Sequence, residues 1–233
     1  MFWSHNGHME GLSVVIPVYQ HSGFLGQALR SVAQGSTEPV EVIVIDDGSH
    51  PPIQEALIRQ APLDVRLIHQ VNSGAGAARN RGISEARFDL LMFLDADDLW
   101  APHKVDRQLE GFRGYPGAIH FAWVQEFLDD NLALQTSRLP EVRRLTAPSS
   151  ITLCCSRDLF DEHGGFDEGL RTGEFIEWFL RLQRAGVPAR MFHEVLAYRR
   201  VHHGNRDRRL RKDNSDYAKI LRSHLSLKAN VGD

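Results

Sequence analysis

Cysteine is almost missing from this chain of 233 residues: there are two, and they are neighbours, Cys154 and Cys155. A bridge between adjacent residues is strained, so no disulfide framework supports the fold, and a reducing, cytoplasmic setting is the expectation. Long hydrophobic runs are missing too. Nowhere do the roughly 18 apolar residues of a membrane-spanning helix follow one another, so no integral membrane segment is expected. The stretch Met1 to Gly11 is polar and lacks the apolar segment of a signal peptide. Nor is there an excess of one charge. A formal net charge of −3 gives no general attraction to nucleic acid or to an anionic membrane surface, so any anion binding must be local. There is no internal repeat, low-complexity tract or convincing linker. A content of 42% hydrophobic and 24% charged residues is that of an ordinary globular chain, enough for one α/β core.

The apolar, β-branched runs Leu12 to Val18 and Val42 to Ile45 are too short for helices and read as buried parallel strands, as does Leu90 to Leu94. Between the first two, Phe24, Ala28, Leu29 and Val32 recur at helical spacing, closed by Gly35. Pro52 to Gln60 reads as a second helix, Val65 to Gln70 as a strand and Ala75 to Ala86 as an alanine-rich helix. The alternation describes a doubly wound, mostly parallel, Rossmann-like sheet with helices on both faces, in a single domain. Such sheets bind ligands at the carboxyl ends of their strands. Further on, a helix is predicted from Pro102 to Phe112, a strand from Ala118 to Phe127, and a helix after Gly173 with Phe175, Phe179 and Leu182 on one face. A strand from Met191 to Arg199, a basic stretch and an amphipathic helix from about Asp213 complete the chain.

Acidic residues stand where the apolar strands end. In Leu94-Asp95-Ala96-Asp97-Asp98-Leu99-Trp100, three carboxylates crowd one strand end. Like charges so close repel, and a hard divalent ion bridging to phosphate oxygens is the usual resolution; a cap for the helix after Pro102 is the competing reading. A second acidic pair, Asp46 and Asp47, precedes Gly48 and Ser49 at another strand end. Taken alone, this pair reads first as turn chemistry, since Asp-Gly is a frequent turn signal; two acidic clusters at the same edge of one sheet point to one site.

Four segments taken together carry more than any one of them. Ser13-Val14-Val15-Ile16-Pro17-Val18-Tyr19, Ile45-Asp46-Asp47-Gly48-Ser49, Asn72-Ser73-Gly74-Ala75-Gly76-Ala77-Ala78-Arg79-Asn80-Arg81-Gly82 and Leu94-Asp95-Ala96-Asp97-Asp98 resemble, in order and spacing, the nucleotide-binding half of glycosyltransferase family 2. The resemblance implies a GT-A type fold with a donor-binding half at 12–100. An acceptor-side half at 101–205, a basic tail with a helix at 206–233 and a polar tail at 1–11 make up the rest. It implies that Tyr19 lies against the nucleotide base, with Pro17 and Val18 shaping that edge, and that Asp46 or Asp47 accepts hydrogen bonds from base or ribose. Asp95-Ala96-Asp97 would be the DXD motif, with Asp95 near the ribose and Asp97 on a metal, Mn2+ or Mg2+. Arg79 would place a guanidinium near diphosphate or base, supported by Asn80. The segment is no P-loop, because the Gly-Lys-Ser/Thr ending is absent.

The second half is less specific. Gly164-Gly165-Phe166-Asp167-Glu168 resembles the family's GGFDE turn. After it, Gly173-Glu174-Phe175-Ile176-Glu177-Trp178 departs from the family, which commonly has Glu-Asp opening this helix and uses the Asp as general base; here that Asp is Phe175. Glu174 at the helix start, held ionised by the helix dipole, is the replacement candidate, with Glu177 in reserve. Tyr198-Arg199-Arg200-Val201-His202-His203 resembles the family's Arg-x-His ending, which makes His202 a candidate metal ligand, with His203 as competitor. Arg206, Arg208, Arg209, Arg211 and Lys212 form either a solvated face or a flap over the diphosphate.

The resulting expectation is an inverting transferase that uses a nucleotide-diphosphate sugar, most simply a UDP-sugar. Its acceptor may be carbohydrate, lipid-linked or peptide, and monomer and homodimer are both left open. The rivals are a nucleotidyltransferase, disfavoured by Pro17-Val18-Tyr19-Gln20-His21 where a glycine- and lysine-rich signature belongs, and a homologue that binds nucleotide sugar without turnover.

Overall fold

The computed structural model describes residues 11–20, 22–128, 143–202, 216–220 and 222. The elements in chain order are β1 (Leu12–Val18), α1 (Ser22–Gln34), β2 (Val40–Asp47), α2 (Glu55–Ile58), β3 (Asp64–Gln70), α3 (Ala75–Glu85), β4 (Leu90–Phe93), β5 (Leu99–Trp100), α4 (Lys104–Gly114), β6 (Ile119–Leu128), β7 (Arg144–Leu145), β8 (Cys154–Ser156), α5 (Asp158–His163), α6 (Glu174–Arg184) and β9 (Ala189–Val201). One mixed sheet runs β3-β2-β1-β4-β8-β6-β9-β5, with β7 paired to β6. Strands β3, β2, β1 and β4 are mutually parallel, as are β6 and β9, whereas β8 runs against both its neighbours. This is the α/β, GT-A type architecture that the sequence implies.

Alternation along β1 divides the interior into two layers. Leu12, Val14 and Ile16 face one core with Leu25 and Leu29 of α1 and Val105 and Leu109 of α4. Val15 faces the other, with Ile43, Ile45, Ala78 and Ile83, extended by Phe160, Phe166 and Trp178. Helix α3 lies close to the sheet because residue 82 is glycine: a Cβ there would sit 2.3 Å from Val15 Cγ1. In the second core the Trp178 ring stacks on Phe160 at 4.5 Å. No helix among the described residues is long and apolar enough to cross a membrane, and both cysteines are buried free thiols.

The structure differs from the sequence reading in several places. The strand expected at Val42 to Ile45 continues through Asp46 and Asp47, because their backbones pair with His69 and Gln70 of β3. The helix expected over Pro52 to Gln60 shrinks to the single turn α2; paired prolines at its start supply no backbone N–H. Strands β5, β7 and β8 and helix α5 are too short to show a period of 2 or 3.6. Of the C-terminal helix, residues 216–220 and 222 are helical; Asp213, His203 and the basic residues Arg206 to Lys212 lie outside the described residues.

The first turn of α4 buries a lysine. Lys104 is fully enclosed, its Nζ 3.7 Å from the centre of the Trp100 ring and 3.4 Å from Met92 Sδ. Burial lowers the pKa of this amine to about 7, a shift that the nearby Cys154 only partly opposes. Between pH 7 and the ordinary lysine range the unfolded chain therefore binds one more proton than the folded one, so stability rises with pH through that window. Wild type should gain melting temperature from pH 7 to 8.5. Lys104→Met should start higher at pH 7 and show less of that rise. Parallel curves would mean that the amine stays charged in the fold. The comparison stops below pH 9 because burial also raises both thiols, that of Cys154 to about 12, and these oppose the trend at higher pH.

Candidate active site

The carboxyl ends of β1, β2 and β4 meet at one edge of the sheet, and most of the residues singled out above gather there. Pro17 and Val18 close β1, and Tyr19, 49% exposed, follows them. The loop after Tyr19 is tied to the loop after β2 by Gln20 N–H donating to Ser49 Oγ at 3.0 Å.

Asp46 and Asp47 are both buried and occupied. Asp46 Oδ1 accepts from Ser49 N–H and Oδ2 from Ile53 N–H, each at 2.9 Å, and His69 Nδ1 lies 2.9 Å from Oδ2. Burial pushes this carboxyl up, but the hydrogen bonds from Ser49, Ile53 and His69 outweigh it and hold the group below its ordinary range. Asp47 organises the glycine-rich segment. Its Oδ1 accepts from Gln70 Nε2 and Ser73 N–H, each at 2.8 Å, and Oδ2 from Gly74 N–H at 2.9 Å. Gly48 adopts φ of 76° between the two loops, where a Cβ would stand 2.8 Å from Asn72 N. In this structure both aspartates build the loops that follow β2 and β3.

Arg79 is the centre of the site. It is 4% exposed, and its two terminal nitrogens reach carboxylates from opposite halves of the chain, Nη1 to Glu174 Oε1 at 2.6 Å and Nη2 to Asp95 Oδ1 at 2.7 Å. Burial works against its charge, but Asp95 and Glu174 more than offset this and raise its pKa above the usual arginine value. Gly76 lets α3 approach the turn before α6: a Cβ there would lie 3.2 Å from the Asp167 carbonyl, tighter than an ordinary contact. Gly173, with φ of 82°, turns the chain into α6, and a side chain there would meet Ile220. Asp216 holds the same turn by accepting from the N–H groups of Arg171 and Thr172 at 3.0 and 3.3 Å.

The DXD segment splits its three acids. Asp95 pairs with Arg79, and Ala96 is buried. Asp97 Oδ2 lies 2.9 Å from His202 Nε2, which brings together the two residues expected at a metal. Asp98 is buried and accepts from Arg200 N–H at 2.8 Å; burial first, then repulsion from Asp97 and Asp95, push it well above the usual carboxylate range. Among the described residues, no group of three or more His, Cys, Asp or Glu side chains is arranged to hold a metal ion.

Glu177 stands apart from this cluster. Arg181 grips it through Nη2 to Oε2 at 2.8 Å, and also donates to the carbonyls of His163 and Gly165. Glu177 thus braces the GGFDE turn. Asn80 braces the same turn, with Oδ1 accepting from Phe166 N–H and Nδ2 donating to the Phe166 carbonyl, each at 2.9 Å, rather than contacting Arg79. Phe175 packs against Phe121 and Phe179 on the apolar side of α6. The sequence reading gave no role at the site to Arg200, Phe24 or Asp216. Arg200 could have been found, since it lies two residues before His202 and so on the same side of an extended chain.

A mixed sheet whose parallel half carries glycine-rich loops, an acidic strand end and a buried arginine at its carboxyl edge is an α/β domain of the GT-A type. The model of glycosyl transferase family 2 matches residues 13–169, more than half of the chain, and the chain belongs to that family. It is 36% identical over 105 residues to an uncharacterized glycosyltransferase of Nostoc sp. (strain PCC 7120), covering 44% of this chain and 33% of that protein. It is 43% identical over 100 residues to the succinoglycan biosynthesis protein ExoW of Rhizobium meliloti, covering 40% of this chain and 31% of ExoW. The chain thus spans about a third of the length of these relatives. Residues 1–349 of S. aureus TarS, solved in complex with UDP-GlcNAc, superpose with a TM-score of 0.71 at 16% identity, covering 91% of this chain and 65% of that one.

The hydrogen bonds of Asp47 lead to a direct expectation. Asp47→Ala strips the acceptor from Gln70, Ser73 and Gly74, so urea unfolding should show a loss of about 1–3 kcal/mol. A loss near zero would mean that the glycine-rich loop holds its shape without this carboxylate.

Proposed function

We propose that this domain transfers a sugar from a nucleotide diphosphate, in the simplest case UDP, to an acceptor hydroxyl with inversion at the anomeric carbon, and that transfer requires a divalent cation. The observation that carries the reading is the Asp97–His202 pair, a carboxylate oxygen and an imidazole nitrogen 2.9 Å apart at the ligand-binding edge of the sheet. Two donors at neighbouring positions of an octahedral ion, each about 2.1 Å from it, are separated by about 3 Å, so the pair fits Mg2+ or Mn2+. With no third protein ligand among the described residues, diphosphate oxygens and water would complete the coordination, as is usual for such ions. The ion, when bound, supplies Lewis-acid stabilisation of the leaving diphosphate. The donor class is supported by family membership and by the UDP-GlcNAc bound to TarS.

The chain's own residues do the rest. Tyr19 offers an exposed ring for a base, on the edge shaped by Pro17 and Val18, and the loops built by Asp46 and Asp47 bring backbone close to the nucleotide. Arg79 holds Asp95 for the donor while fixing Glu174 at the start of α6. Glu174 is the proton acceptor for the incoming hydroxyl. Its ion pair with Arg79 orients the carboxylate and engages Oε1. That same pairing, together with Phe175 in place of the family's Asp, favours a second reading, in which the domain binds nucleotide sugar and turns it over slowly or not at all.

Transfer to a genuine acceptor separates the two. Product should form with Mn2+ and stop with chelator, and Glu174→Gln should slow transfer by about 100-fold or more with donor affinity nearly intact. Glu177→Gln should do far less, because that carboxylate braces the GGFDE turn. Equal transfer with and without chelator would remove the metal from the mechanism. Normal transfer by both variants would remove α6 as the source of the base.

A further inference from the structure

Arg200 is 5% exposed and sits between two aromatic rings, 4.5 Å from the centre of Phe24 and 4.7 Å from that of Phe127. Its Nε donates to the Asp97 carbonyl at 2.9 Å and its Nη2 to Gln27 Oε1 at 2.7 Å, while its own N–H donates to Asp98 Oδ1 at 2.8 Å. One residue therefore holds two successive residues of the acidic loop, the first through its side chain and the second through its main chain. Two residues on, just past the end of β9, stands His202, whose ring lies 5.1 Å from that of the same Phe24.

From this arrangement we infer that Arg200 is a positioning residue that fixes the aim of Asp97 against His202, and thereby sets the affinity for a divalent cation. The inference rests on the metal-dependent reading above. It assigns Arg200 no contact with substrate or ion. The guanidinium suits the task because it is planar: it stacks between rings while its edge bonds a carbonyl on one side and an amide oxygen on the other. A lysine ammonium keeps the charge but cannot hold both bonds and the stacking at once. Loss of the Asp97 carbonyl contact frees the loop to rotate about its backbone, and the 2.9 Å spacing of the two donors is then no longer enforced. Groups that orient metal ligands from behind typically matter to metal affinity by about 10-fold to 100-fold.

The test is a Mn2+ titration followed by electron paramagnetic resonance at a fixed UDP concentration, alongside UDP affinity in chelator. Arg200→Lys should raise the Kd for Mn2+ about 10-fold or more, with metal-free UDP affinity unchanged. Gln27→Ala, at an exposed helix position, cuts one anchor of the guanidinium and should weaken Mn2+ binding in the same direction but less; it decides the question if Arg200→Lys does not fold. A folded Arg200→Lys with lower melting temperature but wild-type Mn2+ affinity would overturn the inference, since a merely structural arginine behaves that way. Wild-type Mn2+ affinity in Gln27→Ala, where Arg200→Lys is unfolded, would overturn it too. Absence of Mn2+ binding by the wild-type chain would overturn the metal-dependent reading itself, an outcome distinct from wild-type binding that survives in the variants.

Discussion

A guanidinium cannot be taken out of water alone, and the site of this protein is arranged around that constraint. Arg79 is buried on α3, and its charge is matched by Asp95 from the end of β4 and Glu174 from the start of α6. Removing either acid would leave a buried charge short of a partner, which costs more than the pair itself contributes. The N-terminal part of the chain and helix α6 are thereby locked to each other at the carboxyl edge of the sheet. The chain of support runs back further: Asp47 accepts from Gly74 N–H at the beginning of α3, and α3 carries Arg79. On the opposite side, Asp216 and Gly173 fix the turn that delivers Glu174.

Five aspartates stand at the same sheet edge, and what each can do depends on what already occupies it. Asp46 and Asp47 have their oxygens filled by backbone and side-chain donors of the loops they organise. Asp98 is buried against the backbone of Arg200. Asp95 has one oxygen on Arg79 and a partly exposed carboxylate, and Asp97 faces an imidazole. Only the last two combine access with a partner suited to a nucleotide diphosphate and its cation. Glu174 is constrained in the same terms, because the guanidinium that holds it in place already occupies Oε1.

The parallel half of the sheet was legible in the sequence because Leu12 to Val18, Val42 to Ile45 and Leu90 to Leu94 are continuous β-branched or apolar runs, which few other structures accommodate. The pairing of Asp97 with His202 was also legible, but only through the resemblance, since nothing in local pattern joins residues so distant in the chain. Strands β5 and β8 escaped notice because two or three residues cannot display a period. The burial of Lys104 escaped notice for another reason: its enclosure by Trp100 and Met92 is a tertiary fact, and a lysine in the first turn of a helix reads as solvated. For Asp46 and Asp47 the sequence offered turn chemistry and ligand binding side by side, since a carboxylate that accepts loop N–H groups and one that accepts from a ligand look alike, and the bracing role of Glu177 was hidden.

The central claim is that the acidic strand end and the end of β9 form one cation-binding site facing a nucleotide diphosphate. Crystals grown with UDP and Mn2+, measured at the manganese absorption edge, test it most directly. The account expects an anomalous peak between Asp97 Oδ2 and His202 Nε2, with the diphosphate beside it. A nucleotide bound at this edge with no anomalous peak there, or a peak bound by other residues, would contradict it.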